Sequence, residues 1–415
     1  MLIQFSFKNY KSFKNETLLD MTATSIKEHP YNLIETDNGS KYLKLAAIYG
    51  GNASGKSNVI DAFDFMRYLV INSLTLEKEE NKYKKSFIPI KSFIFDNNSN
   101  TKTSEFQVFF IYKDIEYQYG FVVDKEKVHE EWLYSKTPKG KKYDTLFERI
   151  GNEIECGKKM QDADKFKDSV DETTLFLSLT AKTKIKPSKA VYQWFYNNFI
   201  VNFGDINFEK FISRSIPDEI LKKDQYKIKL EEFLIAIDTG IKGISVEKIG
   251  KSKESDENIY EVYSHHIVNE KGDTRKIPFD EESSGTKKMF CLFVFFFDAL
   301  QNGYTLFIDE LNAKLHPLLV RYIINMFHDS SKNINNAQLI FTTHDVFSLT
   351  KDTFRRDEVW FTEKDKMGIS KLFSLAEYKL DDNSKVRSDA TYFKDYTSGR
   401  YGAIPLLKEF NILEG

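Results

Sequence analysis

Cysteine, glycine and proline are scarce in this sequence. Its 415 residues include 2 Cys, 19 Gly and 8 Pro. The two cysteines, Cys156 and Cys291, cannot form a disulfide framework in a chain of this length, and they belong to no metal-ligand cluster. Cys291 lies in an apolar run at residues 289–300, where we expect a small core residue. Internal repeats and low-complexity segments are also lacking, which argues against a repeat architecture.

An excess of charge of either sign is lacking too. The formal net charge is −2, from 60 basic and 62 acidic side chains. This balance argues against a protein that binds nucleic acid through a basic overall charge. Lysine-rich stretches at residues 82–85 and 182–189 are either solvated surface or local nucleic-acid contacts.

Long hydrophobic segments are the third absence. Residues 1–7 alternate between apolar and polar and show neither a basic region nor a cleavage site, so we do not expect a signal peptide. The apolar run at 289–300 is too short to cross a bilayer and is interrupted by Asp298. We therefore expect a soluble, cytoplasmic protein with no membrane partner.

What the sequence does have is a hydrophobic content of 41%, sufficient for a large core, and clear strand and helix periodicity. Alternation predicts an N-terminal strand at residues 1–7 with a hairpin partner at 16–21. Short apolar runs predict buried strands at 43–49, 304–308, 338–342 and 358–361. Further strands are predicted at 106–112, 117–123, 130–134, 243–249 and 260–268, and helices at 58–70, 282–301 and about 317–331.

A glycine-rich segment follows the predicted strand 43–49 and precedes a helix. It fits G-x-x-x-x-G-K-[ST] at every position, the pattern of a phosphate-binding P-loop. Backbone N–H groups and the positive end of the helix would surround phosphate, Lys56 would contact the β- and γ-phosphates, and the Ser57 hydroxyl would bind Mg²⁺. A chance glycine-rich turn is the alternative. The residues are Gly50, Gly51, Asn52, Ala53, Ser54, Gly55, Lys56 and Ser57.

Two acids end the strand at 304–308. Asp309 would hold Mg²⁺ directly or through water, and Glu310 would polarise an attacking water. An ordinary strand that ends in charged residues is the alternative, but the P-loop upstream favours the catalytic interpretation.

His344 follows the strand at 338–342. A histidine near a γ-phosphate can donate a hydrogen bond to it and position the water. His344 comes 34 residues after Glu310, which leaves room for one helix between them. A structural histidine is the alternative.

The segment from Glu282 to Thr286 reads Glu-Ser-Ser-Gly-Thr and opens the helix before the Asp309 strand. Hydroxyl and N–H groups at a helix N-terminus form an anion site. A simple serine N-cap at Ser283 is the alternative. The residues that we expect to contact phosphate here are Ser283, Ser284, Gly285 and Thr286.

The order of these motifs is that of ABC ATPases, and the sequence resembles the ABC-type heads of the SMC and double-strand-break-repair families. Residues 51–58, which end in Asn58, match the last eight positions of their G-x-N-x-S-G-K-S-N pattern, and Asn9-Tyr10-Lys11-Ser12-Phe13 is similar to their N-[FY]-x-S-F. Residues 282–286 stand where those families have L-S-G-G-Q, with Ser283 and Gly285 kept.

A narrower resemblance is to single-head AAA ATPases of the overcoming-lysogenization-defect type, including the PARIS and abortive-infection ATPases of prokaryotic anti-phage systems. It extends to residues 309–317, 343–345 and 399–405, and is loose over 156–245. Overcoming-lysogenization-defect proteins carry a nuclease domain after the histidine strand, whereas 71 residues follow His344 here. Any effector is therefore expected on a separate polypeptide.

The resemblance implies an α/β fold, an ABC-type head with a mixed-sheet lobe, an antiparallel β lobe and a mainly helical insertion. We expect an N-terminal lobe at 1–155, the insertion at 156–245 and a C-terminal lobe at 246–415. It also implies ATP and Mg²⁺ as cofactors. Asn58 is a further expected nucleotide contact. The expected catalytic residues are Lys56, Glu310 and His344, and the expected metal ligands are Ser57 and Asp309.

In such heads Ser283 and Gly285 contact the ATP of a second copy, with Asn312, Ala313 and Lys314 near the place where the two sites communicate. We therefore expect a homo-oligomer of head-to-head dimers with slow, regulatory hydrolysis. It would control a separate nuclease or toxin in answer to a phage protein or nucleic acid. A DNA-repair ATPase is the alternative. No glutamine fits the Q-loop convincingly; Gln107 is available but equally suits an outward-facing strand position.

Overall fold

A computed structural model describes residues 1–76, 87–96, 99, 102–203, 220, 223–238, 240–251, 258–270, 272–379, 386–387 and 390–404. The lysine-rich stretch at 82–85 lies outside these residues. No helix within them is both long and apolar enough to cross a membrane.

Within the described residues, strands occupy all eleven predicted positions, and seven further strands are present that the sequence patterns do not predict. In chain order they are β1 (Leu2–Lys8), β2 (Thr17–Asp20), β3 (Leu33–Glu35), β4 (Lys41–Leu43), β5 (Leu45–Gly50), β6 (Ser104–Tyr112), β7 (Ile115–Val123), β8 (Val128–Lys136), β9 (Asp144–Ile150), β10 (Glu153–Cys156), β11 (Phe199–Asn202), β12 (Ile241–Lys251), β13 (Asn258–Ile267), β14 (Thr274–Pro278), β15 (Thr305–Asp309), β16 (Gln338–Thr342), β17 (Val359–Lys364) and β18 (Ser370–Ser374).

The α-helices are α1 (Lys56–Asn72), α2 (Phe176–Ala181), α3 (Lys186–Asn197), α4 (Asp224–Ile237), α5 (Ser284–Asn302), α6 (Pro317–His328) and α7 (Tyr392–Thr397). A 3₁₀ segment covers Lys158–Ser169, and short 3₁₀ turns cover Pro30–Asn32, Ser73–Thr75, Phe279–Glu281, Val346–Ser348 and Arg356–Glu358.

The largest sheet is the antiparallel one, in the order β10-β9-β8-β7-β6-β1-β2. β1 pairs with β2, as the N-terminal alternation predicts, and on its other side with β6. Phe5 and Phe7 point from β1 into the core and are fully or almost fully buried. This sheet and α1 share one hydrophobic cluster.

The second sheet is mixed, in the order β11-β15-β16-β5-β17-β18. All its pairs are parallel except that of β17 with β18. Its central strands are buried on both faces, as is usual for parallel strands. Alternate residues of β5 belong to two clusters: Ile48 packs with α1 and the antiparallel sheet, and Ala47 packs with α5 and α6.

The segment 156–245 contains α2, α3 and α4, as its helical spacing predicts. It also contributes β11, which pairs in parallel with β15 and forms the edge of the mixed sheet. A separate sheet, β12-β13-β14, follows α4. A mixed-sheet lobe beside an antiparallel β lobe is therefore present, and the predicted α/β fold with these two sheets is confirmed. Cys291 is buried in α5, as expected.

Candidate functional site

The site lies where the parallel strands β5, β15 and β16 end. Carboxyl ends of parallel strands meet at one edge of a sheet, which is the usual place for a ligand site in an open α/β sheet. The P-loop follows β5, Glu310 follows β15, and His344 follows β16 by one residue. The strand order therefore brings three distant parts of the sequence together.

The P-loop closes around the Lys56 side chain. The Lys56 ammonium donates hydrogen bonds to the Gly50 and Gly51 carbonyl oxygens, both at 3.0 Å. Burial lowers the pKa of Lys56, while Asp309 and Glu310 act in the opposite direction. α1 begins after Gly55, whose φ is 114° and which provides no side-chain cap. Its N-terminal N–H groups are thus available to an anion.

Several small side chains hold the P-loop in place. The Ser370 hydroxyl donates to the Ser54 carbonyl oxygen at 2.6 Å and lies 2.8 Å from the Ser12 hydroxyl, from which it can accept a hydrogen bond. Asn58 donates to the same Ser12 hydroxyl at 2.7 Å. A Cβ on Gly55 would come within 2.7 Å of the Ser370 hydroxyl. The N-terminal motif with Ser12 therefore packs directly under the loop.

Gly50 is needed for a second close approach. A Cβ there would lie 2.5 Å from the Thr362 hydroxyl and 2.6 Å from the Ser54 hydroxyl. Those two hydroxyls are themselves 2.6 Å apart. β17 therefore closes the back of the loop, and only glycine fits between them.

Asp309 is buried below the loop and receives a hydrogen bond from Ser57. It also receives one from Thr342. Burial raises the pKa of Asp309, and the two hydroxyl donors oppose this shift. A bound cation would favour the ionised carboxylate.

The Ser57 and Asp309 oxygens are hard ligands of the type that Mg²⁺ prefers. Within the described residues, no group of three or more His, Cys, Asp and Glu side chains could hold a metal ion. A cation at Ser57 and Asp309 would thus need further ligands, such as phosphate oxygens. The two residues fit the Mg²⁺ of a nucleotide complex.

Glu310 adopts a left-handed backbone conformation, with φ of 54°. Non-glycine residues in this region are uncommon and concentrate at functional sites. Its N–H donates to the Thr342 hydroxyl at 2.8 Å. One hydroxyl therefore contacts both acids at the end of β15: it donates to Asp309 and accepts from Glu310.

His344 reaches the cleft from the neighbouring strand and is exposed. Partial burial and, secondarily, the nearby Lys56 ammonium lower the pKa of His344, whereas Glu310 opposes this change. The imidazole is therefore neutral at pH 7. Asn312 holds the backbone at this position, because its side-chain oxygen accepts hydrogen bonds from the His344 backbone N–H at 3.0 Å and the Thr343 hydroxyl at 2.9 Å.

The P-loop, Glu310 and His344 line one open cleft of about 510 Å³, which we call the P-loop cleft. Sequence reasoning missed Lys364, at the end of β17, which adds a cation to it. A lysine at the end of a strand gives no local signal. The lining residues are Asn52, Ala53, Gly55, Lys56, Ser57, Asn58, Glu310, His344 and Lys364.

Residues 283–286, which we call the signature turn, are not among the residues that line this cleft. Ser283 is the N-cap of α5, and its hydroxyl accepts from the Thr286 N–H at 3.1 Å. Ser283 and Ser284 are exposed, while Thr286 is buried and donates to Asp238 at 3.0 Å. The turn thus presents two exposed serines that do not line the cleft of their own chain.

Glu282, just before the turn, is tied to the three-stranded sheet. Its carboxylate accepts hydrogen bonds from Ser264 and from His266, the latter at 2.6 Å. The acid therefore anchors the turn to β13.

Gln107 lies on β6 of the antiparallel sheet. Its side-chain oxygen accepts from Trp132 at 3.0 Å and from Gln118 at 2.7 Å. It does not line the P-loop cleft, which favours the alternative of a strand residue.

A family model described as "AAA domain, putative AbiEii toxin, Type IV TA system" matches residues 45–350, about three-quarters of the chain. The match begins at β5 and ends just after His344. No curated protein matches the chain. A solved structure titled "Crystal structure of the SmcHead bound to the C-winged helix domain of ScpA" is 16% identical, with a TM-score of 0.44. The alignment covers 90% of this chain and 97% of that one.

Proposed function

This chain belongs to that AAA-domain family of ATPases, and from this premise we propose that it hydrolyses ATP in sites completed by a second copy. The P-loop and α1 N-terminus bind the phosphates, and Lys56 contacts the β- and γ-phosphates. When bound, Mg²⁺ at Ser57 and Asp309 neutralises phosphate charge. Glu310 polarises the attacking water, and neutral His344 donates a hydrogen bond to the γ-phosphate.

In this reaction the water oxygen bonds to the γ-phosphorus as the bond from phosphorus to the β–γ bridging oxygen breaks. ADP and phosphate result, and the water proton passes to the Glu310 carboxylate. The cleft supports this assignment because Glu310, His344 and Lys56 line it together.

The proposal that two copies form each site depends on one observation: the exposed serines of the signature turn lie outside the cleft of their own chain. They are hydrogen-bond donors at a helix N-terminus, which suits an anion. An isologous head-to-head pair would place each turn over the partner's P-loop, so that two ATP molecules are held between the heads. Hydrolysis then removes the bridging γ-phosphate and loosens the pair.

Mixing two inactive variants tests this arrangement. Lys56→Met disables the P-loop but keeps the signature turn, and Ser283→Arg does the reverse. In an equal mixture, half of the dimers are mixed and each holds one intact composite site, so a measurable ATPase rate of up to about a quarter of the wild-type value returns. The readout is steady-state phosphate release.

A double variant with both substitutions, mixed with wild type, is the control because it can only dilute activity. No recovery in the single-variant mixture, or a fully active monomeric Ser283→Arg variant, contradicts composite sites.

The biological role that we propose is regulation of a separate effector in anti-phage defence. The ATP-bound pair holds the effector in one state, and a phage component or nucleic acid changes that state. The family description, which names a toxin of a toxin–antitoxin system, and the resemblance to abortive-infection ATPases support this role. Co-purification with the product of the neighbouring gene, with ATP, with ADP and with Glu310→Gln, tests it. A complex of unchanged size in all three conditions contradicts it.

A DNA-directed ATPase is the second candidate, and the surface of α3 favours it. Residues 173–204 contain no acid. Exposed Lys186, Lys189, Gln193 and Tyr196 follow one another at helical spacing, with exposed Lys184 just before them. Lysines beside an exposed aromatic ring suit a nucleic-acid backbone with unstacked bases.

Charge reversal tests this second candidate. Lys184→Glu, Lys186→Glu and Lys189→Glu together should weaken binding to a labelled oligonucleotide and reduce the salt slope of log K by about 3. The matched control reverses three exposed lysines of the β8–β9 loop, with the same change in net charge: Lys139, Lys141 and Lys142. Equal effects of the two triple variants contradict a nucleic-acid surface on α3.

A further inference from the structure

Lys288, in the second turn of α5, is a buried cation that the reaction as described does not use. Its side chain is 5% exposed. Lysine is rarely buried without partners, because removing an ammonium from water is costly. Its surroundings must therefore stabilise the charge.

Three backbone carbonyls of one loop are among the groups that stabilise this charge. The Lys288 ammonium donates to the carbonyl oxygens of Glu310 at 3.1 Å, Leu311 at 2.9 Å and Ala313 at 2.8 Å. The Phe203 ring lies 3.9 Å away, at cation–π distance. The ammonium thus gathers the carbonyls of the loop at residues 310–314, which we call the acid loop.

This loop has a backbone that needs such support. Glu310 and Lys314, at its two ends, have φ of 54° and 61°. Non-glycine residues persist in this region only where the surrounding structure holds them, since each costs about 1–3 kcal/mol. Lys288 contacts the carbonyl of Glu310 itself, the residue that polarises water.

The acid loop also contacts the signature turn and the histidine. A Cβ on Gly285 would lie 3.1 Å from the Lys314 carbonyl oxygen, so the turn packs on the loop. The Asn312 side chain, in the middle of the loop, accepts a hydrogen bond from the His344 backbone N–H. Lys288 is therefore in a continuous chain of contacts from the signature turn through the acid loop to both Glu310 and His344.

We propose that Lys288 is a positioning residue that couples the two composite sites. Contact of the signature turn with the neighbour's ATP moves the start of α5, and Lys288 transmits this movement to the backbone of Glu310 in its own site. Each site then hydrolyses faster when the other holds ATP, while a single composite site keeps a lower but measurable rate. This inference rests on the proposed composite sites.

The test compares Lys288→Met with Lys44→Met. Lys44 is also buried, at 1% exposed, and donates to the Tyr31 carbonyl at 3.1 Å, the His328 carbonyl at 3.0 Å and the Ser330 hydroxyl at 2.7 Å. It precedes β5, at the sheet edge opposite the cleft. Both variants lose a buried ammonium, and thermal unfolding shows how far each loses stability.

We expect Lys288→Met to lower kcat by about 10- to 100-fold and to bring the Hill coefficient of the ATP dependence to 1. The Kd for a fluorescent ATP analogue stays unchanged, because Lys288 does not line the cleft. Lys44→Met should leave kcat, Hill coefficient and Kd as in the wild type. Equal kinetics of the two variants at permissive temperature would overturn the proposal.

Lys288→Arg provides a readout if the Met variant does not fold. Arg keeps the charge but its longer planar head cannot reproduce the three contacts. A lowered kcat with unchanged ATP affinity supports positioning; wild-type kcat and Hill coefficient overturn it. Failure of the mixing experiment with Lys56→Met and Ser283→Arg would instead remove the composite sites themselves, so the two failures are distinguishable.

Discussion

The P-loop cleft and the signature turn both use the N-terminus of a helix, but they prepare it differently. α1 begins at a glycine that provides no side-chain cap, and its first N–H groups face a cleft. α5 begins at Ser283, whose hydroxyl already accepts from the Thr286 N–H. The first helix terminus has no side-chain cap and is open to a ligand, whereas the second already has a serine cap and presents exposed hydroxyls. A helix terminus thus serves as a pocket in one place and as an exposed contact in the other.

Glu310→Gln should have the largest effect on the ATPase rate. It separates hydrolysis in the P-loop cleft from pairing through the signature turn. Loss of the carboxylate should slow phosphate release by about 100-fold or more, while ATP affinity is retained. The signature turn is unaltered, so ATP-bound pairs should accumulate and be seen by light scattering. A variant that hydrolyses ATP at the wild-type rate would show that Glu310 does not act on the water.

Asp309→Asn tests whether a buried charge in the P-loop cleft destabilises the folded protein. Burial raises the pKa of Asp309 above its usual 3.8. The pKa of this carboxyl is higher in the folded than in the unfolded state. Its ionisation therefore lowers stability as the pH rises from the unfolded-state pKa to the folded-state pKa, and the full loss is present above the folded-state pKa. We therefore expect the variant, without nucleotide at pH 7, to unfold about 2 °C higher than wild type. The gain should shrink on acidification.

Ser283→Ala is the matching substitution in the turn and should act in the opposite direction. It removes an N-cap, which costs about 1 kcal/mol. Differential scanning fluorimetry of both variants at several pH values measures the contrast. A destabilised Asp309→Asn variant would mean that its hydrogen bonds outweigh the buried charge.

Gln107→Ala has the smallest expected effect. The antiparallel sheet lies outside the P-loop cleft and the signature turn, and the Gln107 side-chain oxygen accepts hydrogen bonds from Trp132 and Gln118. We expect a loss of about 1 kcal/mol in stability and an ATPase rate within about twofold of wild type. A large fall in kcat without unfolding would assign Gln107 to the nucleotide site.

Much of the fold could be predicted because its signals are local. Alternation located β1, β6 and β7, and short apolar runs located β5, β15 and β16. The predicted helix at 58–70 lies within α1, which begins at Lys56. The glycine pattern placed the P-loop, and strand ends located Asp309, Glu310 and His344. The structure brings Lys56, Glu310 and His344 into one cleft, as the motif order predicts.

What could not be predicted depends on contacts between distant residues. β11 has no pattern that separates it from the helices around it, and it is a strand because β15 offers an edge. Lys364 lines the cleft only because β17 lies beside β5. Lys288 gave one weak signal, a charge next to the apolar part of α5, but its carbonyl partners lie 22 to 25 residues further along the chain.

Thr342 donates its hydroxyl hydrogen to one acid and receives the amide hydrogen of the next. Valine has nearly the same volume and outline, and the position is completely buried. A redesign of the interior guided by shape would accept valine here, yet the exchange leaves a carboxylate without its donor and an amide without its acceptor. At this position, a substitution that preserves the packing would remove the chemistry.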